Sequence, residues 1–97
     1  MAEILIVEDE FSINELIRKN LKLTGHNCVQ VFDGYTAVEM LKSRTFDLIV
    51  LDVMLPGIDG LEFCTRLRKH SYAPVIFISC LNDDETIIRA LQMGGDD

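Results

Sequence analysis

Short runs of apolar residues alternate along this chain with segments whose apolar positions recur every three or four residues. Ile4-Leu5-Ile6-Val7, Cys28 to Phe32, Leu48-Ile49-Val50-Leu51 and Val75 to Ser79 are the runs. They are short, rich in β-branched residues and nearly continuous, as strands buried on both faces are. Between them, Phe11 to Leu23 carries Ile13, Leu16, Ile17 and Leu21 at helical spacing, and Gly25 is placed to end that helix. Tyr35 to Ser43 presents Ala37, Val38 and Leu41 inward, after the turn pair Asp33-Gly34. A third helix carries Leu61, Cys64 and Leu67, with Arg68 and Lys69 suiting its negative end. Pro74 opens the fourth strand. Asp83 and Asp84 are read as capping a fourth helix bearing Ile87, Ile88 and Leu91, with Gly94 beyond it. Four β-α units in succession predict an α/β fold, a parallel sheet with helices on both faces.

Two of the apolar runs end abruptly in carboxylates: the first in Glu8-Asp9 and the third in Asp52. In an open parallel sheet the carboxyl ends of neighbouring strands face one crevice, where ligands bind. Three acids gathered there repel one another unless a cation sits among them, and a hard divalent ion, Mg2+, is the natural partner. The pattern points to metal-assisted chemistry on a phosphoryl group. Taken singly, acids at a strand end often do no more than cap the next helix, so the signal lies in their combination.

Composition narrows the classes. The chain has 97 residues, is 48% hydrophobic, and lies within the size of one domain. A net charge of −7 argues against direct nucleic-acid binding, which calls for a basic face. No apolar stretch reaches membrane-spanning length, and no basic stretch precedes a hydrophobic one at the amino terminus. Cys28, Cys64 and Cys80 are odd in number and widely spaced, which reads as small core residues of a reducing compartment and predicts a cytoplasmic protein. His26 and His70 lie at predicted helix ends and are read as solvated cations. The Asn82-Asp83-Asp84-Glu85 run is read as a solvated helix start.

With these residues in place, the chain resembles the receiver domain of two-component response regulators over its whole length, 1–97. The resemblance rests on Ile4-Leu5-Ile6-Val7-Glu8-Asp9-Glu10, Leu51-Asp52-Val53-Met54-Leu55-Pro56-Gly57-Ile58-Asp59-Gly60, Val75-Ile76-Phe77-Ile78-Ser79 and Met93-Gly94-Gly95-Asp96-Asp97, in that order. It implies a flavodoxin-like doubly wound parallel sheet with strand order 2-1-3-4-5. It implies that Asp52 is the phosphoacceptor, taking a phosphoryl group from a histidine of a partner sensor kinase. Asp9 then matches a direct Mg2+ ligand and Glu8 one acting through water, while Asp52 and the backbone carbonyl of Met54 complete the protein ligands. Ser79 matches the hydroxyl residue that donates to a phosphoryl oxygen and couples phosphorylation to loop movement. Cys80 stands where many members carry a small residue such as alanine. The implied function is phosphorelay signalling that switches an output, transcription in a longer parent, without turnover of a substrate.

One departure stands out. Receivers have a fifth strand and helix, a switch aromatic, and a lysine a few residues beyond the Gly-x-Asp-Asp motif. The sequence stops at Asp97, so it reads as a receiver truncated before these features. This predicts an exposed apolar edge at Val75 to Ser79, and self-association through that edge and the uncovered faces. Two other classes compete with a phosphoacceptor. A Mg2+-dependent phosphohydrolase of the haloacid dehalogenase type requires a second Asp two residues after the nucleophile, where this chain has Met54. An inert interaction module would keep the acid pocket without phosphotransfer.

Overall fold

The computed structural model describes the backbone of residues 2–52, 60–82 and 85–91, and the side chains of these apart from 60, 61, 79–82 and 85–91. Strands β1 (Glu3–Val7), β2 (Asn27–Val31), β3 (Leu48–Asp52), β4 (Val75–Asn82) and β5 (Glu85–Leu91) form one sheet in the order β2-β1-β3-β4-β5. The first four are mutually parallel, as four apolar runs separated by helical segments require. Helices α1 (Phe11–Leu23), α2 (Gly34–Ser43) and α3 (Gly60–Leu67) make the crossovers.

The helix boundaries have local causes. Asp33 caps α2 by accepting the Thr36 N–H at 2.7 Å and the Thr36 hydroxyl at 3.0 Å. At the carboxyl end of α1, the Gly25 N–H donates to the Lys22 carbonyl at 3.0 Å and the His26 N–H to that of Leu21 at 3.2 Å. This is a Schellman turn, and Gly25 supplies the positive φ of 91° that it needs. His26 is not the solvated helix-end cation that the sequence suggests. Its Nδ1 accepts the Ala2 N–H at 3.0 Å and so pins the start of β1.

Strand alternation sorts the core into two layers. Leu5, Val7, Ile49, Leu51, Val75 and Phe77 pack toward α2 and α3, where Ala37, Leu41, Phe63, Cys64 and Leu67 meet them. Ile4, Ile6, Val50 and Ile78 form the opposite cluster, backed by Ile17 and Leu21 of α1. Leu16, expected on the inner face of α1, is 61% exposed, because the buried line of the helix runs through Asn14 and the half-buried Ile17 and Leu21.

The last described segment differs from expectation. Spacing predicts a helix over Glu85–Leu91, whereas the segment is a strand, β5, paired antiparallel to β4. Two physical reasons favour the strand. Thr86, Ile87 and Ile88 are consecutive β-branched residues, which fit a pleated surface. Pairing also satisfies the row of backbone groups along the outer side of β4, with Ser79 opposite Ile87 and Cys80 opposite Thr86. The predicted exposed edge at Val75 to Ser79 is therefore closed, and the outer edge of the sheet passes to β5. The expected cap at Asp83 and Asp84 and the expected stop at Gly94 lie outside the described residues.

Candidate metal and phosphoryl centre

Register brings the acids together. β1 and β3 pair directly, with Val7 opposite Leu51, so Glu8 and Asp52 each stand one residue past that pair. Glu8, Asp9 and Asp52 each offer a carboxylate oxygen, and these oxygens all lie within 4.8 Å of one another. Their surroundings differ. Glu8 is 2% exposed, Asp52 is half-buried and Asp9 is exposed.

Glu8 is held both at its carboxylate and at its backbone. Its Oε2 accepts the Glu10 N–H at 2.9 Å, and its own N–H donates to the Val31 carbonyl at 3.2 Å. Burial pushes its carboxyl up to about 7. The Glu10 N–H opposes that shift, whereas the charge of Asp52 and the hydrogen bond and charge of Asp9 add to it. A carboxylate that resists ionisation beside two others is one that a divalent cation would stabilise in charged form. The donor set is all oxygen, as Mg2+ prefers, and the exposed Asp9 leaves the cluster open to solvent and to a ligand.

Of the other predicted site residues, Ser79 follows Ile78, whose backbone pairs with Asp52, so β4 brings it to the same end of the sheet. Its side chain is not among those described, and Met54 lies outside the described residues, as does the 93–97 motif. Two features near the acids have no signature that the sequence pattern picks out. Asn14 is fully buried in α1, with Nδ2 donating to the carbonyls of Glu8 and Val31, each at 3.0 Å. Its position in line with Ile17 and Leu21 is the one available signal. Phe11 and Phe32, both exposed, stack at 6.0 Å between ring centroids. Cys28 and Cys64 are half-buried and buried, and burial raises both thiols, which favours their protonated form. Among the described residues no helix is long and apolar enough to cross a membrane.

Comparison with known proteins agrees with this geometry. The family model of the response regulator receiver domain matches residues 4–97. The transcriptional regulatory protein AfsQ1 of Streptomyces coelicolor is 38% identical over 97 residues, 100% of this chain and 43% of that protein. The chain thus spans less than half the length of this curated relative. Among solved structures, the receiver domain of the Francisella response regulator 1452 superposes with a TM-score of 0.75 at 29% identity, over 87% of this chain and 70% of that one. The response regulator TrrA of Thermotoga maritima, solved in complex with Mg2+-BeF, gives a TM-score of 0.75 at 35% identity, over 81% and 70% of the two chains. A parallel sheet ending in clustered acids, matched along almost its whole length by one family model, places this chain in the response regulator receiver domain family of two-component systems.

Proposed function

We propose that this receiver accepts a phosphoryl group on Asp52 from a phosphohistidine of a partner sensor kinase. The observation that carries the reading is the convergence of Glu8, Asp9 and Asp52 within 4.8 Å, with Glu8 held at a pKa of about 7 by burial and like charge. In the transfer, a carboxylate oxygen of Asp52 forms the new P–O bond while the P–N bond to the imidazole breaks, and the departing nitrogen keeps the electron pair. Glu8, Asp9, Asp52 and the Met54 carbonyl would hold Mg2+, which when bound offsets the charge on the phosphoryl oxygens. Ser79 donates a hydrogen bond to one of those oxygens and links the phosphorylated state to the chain that follows it. Glu8 stays ionised beside the bound cation, with its Oε2 accepting the Glu10 N–H.

The module relays a signal and does not turn over a substrate. With a net charge of −7 it does not itself bind nucleic acid, and transcription control belongs to a longer parent protein in the cytoplasm. Self-association, where copies pair through the sheet, uses the outer edge of β5. Labelling with phosphoramidate or acetyl phosphate in the presence of Mg2+ tests the reading. Stable, stoichiometric modification that disappears in Asp52→Ala is the expected result. Continuous release of phosphate would point to a hydrolase, and no modification at all would point to an inert module.

A further inference from the structure

Asn14 is a polar residue where α1 meets the sheet, and it is 0% exposed. One carboxamide joins three elements: its Nδ2 reaches the Glu8 carbonyl at the end of β1 and the Val31 carbonyl at the end of β2, each at 3.0 Å. The Val31 carbonyl also accepts the Glu8 N–H at 3.2 Å, and the Asn14 N–H donates to the Glu10 carbonyl at 2.9 Å. The tripeptide Glu8-Asp9-Glu10 is thus fastened at its first residue by a side chain and at its last by the backbone of the same asparagine. The arrangement carries a cost. Asn14 Oδ1 is buried with no hydrogen-bond partner among the described residues, so an apolar side chain would suit the interior better. The two carbonyls it serves are what the amide gives in return.

We infer that Asn14 is a positioning residue for the acid cluster. It holds the backbone of Glu8 so that the Glu8 and Asp9 carboxylates stay in reach of Asp52. This rests on the proposed metal-assisted reading of that cluster. Groups that orient metal ligands without touching the metal commonly change affinity by about tenfold or more when removed. Asn14 differs from such groups only in acting through the main chain.

Isothermal titration with Mg2+ tests the inference on the protein, on Asn14→Ala and Asn14→Ser, and on Leu41→Ala. Leu41 lies in the other core layer, and its truncation destabilises without touching the acids. Each protein is titrated at a temperature where circular dichroism shows it folded. The expected result is about tenfold weaker binding in Asn14→Ala and a smaller loss in Asn14→Ser, whose hydroxyl can donate one of the two bonds. Leu41→Ala should bind Mg2+ as the unsubstituted protein does. Unchanged affinity in Asn14→Ala, or an equal loss in Leu41→Ala, would overturn the inference and leave Mg2+ binding intact. If the Ala variant does not fold, Asn14→Ser decides: about twofold or greater weakening supports the inference and none overturns it. No binding by the unsubstituted protein would overturn the metal reading and this inference together.

Discussion

The two layers of the core are built from the same strands and do different work. Toward α2 and α3, alternate residues of β1, β3 and β4 meet two helices and the rings of Phe46, Phe63 and Phe77, and the layer is closed. Toward α1, Ile4, Ile6, Val50 and Ile78 are backed, among the described residues, by one helix. An apolar hollow of about 340 Å3 lies there, lined among others by Ile13, Leu16, Ile17 and Ile76. Period-two alternation puts Asp52 on the same face as Val50, the α1 face. One layer therefore holds the domain together, while the other carries charge at its upper end and, among the described residues, is incompletely filled. Stability and chemistry are drawn from opposite sides of a single strand.

Truncating the closed layer should give the largest effect. Phe63 is fully buried among both helices and the sheet, and Phe63→Ala should cost about 3–5 kcal/mol, read as a lowered midpoint in urea denaturation. That is a large part of the roughly 5–15 kcal/mol expected of a domain. A loss below about 1 kcal/mol would mean the two layers do not differ as described.

The second effect measures the cost of charge on the α1 side. In the unfolded chain Glu8 ionises near 4.5, whereas the folded protein holds its proton up to about 7. Between these values the folded state binds more protons, so metal-free stability should fall as pH rises through that window and level off above it. The expected decline is no more than about 3 kcal/mol, since part of the shift is shared with Asp9 and Asp52, and Glu8→Gln should remove it. Comparing the two pH profiles in the presence of a chelator isolates this contribution from acids shifted the other way, such as Asp33. Parallel profiles for the two proteins would show that the buried acid imposes no such cost.

The smallest effect belongs to the rim of the hollow. Leu16 is 61% exposed, and Leu16→Ser should change stability by no more than about 0.5 kcal/mol in thermal unfolding. A larger loss would mean that this side is packed more tightly than its exposure implies.

Much of this is legible in the sequence because buried parallel strands announce themselves. β1, α1 and β3 fall where the apolar runs and the Phe11 to Leu23 periodicity put them. The acids are legible because a carboxylate that cuts short an apolar run must be held by a partner or reach solvent, and two such runs paired side by side bring their acids to one place. Glu85–Leu91 misleads because Ile87, Ile88 and Leu91 satisfy a helical spacing and also a strand, and pairing with β4 decides between them. Asn14 gives little warning beyond its place in line with Ile17 and Leu21, because a polar residue within an amphipathic helix is ordinarily solvated. What distinguishes it is a pair of carbonyls brought close by β1 and β2, and no local pattern reveals that. Leu16 shows the converse, an apolar residue at helical spacing that falls beside the buried line.

The place of β1 in the sheet has a consequence for motion. β1 is bonded to β2 along its whole length and to β3 over Ile4–Val7, so its amides have no outer edge from which to open. Such amides exchange with solvent only when a large cooperative unit opens, whereas loops and sheet margins open far more often. Glu8 and Asp9 continue directly from this strand. The acid pair therefore continues from a strand paired on both sides, whose amides are expected to exchange slowly. Opening at the β4–β5 margin should therefore leave the backbone that carries Glu8 and Asp9 in place, since β3 stands between β1 and β4.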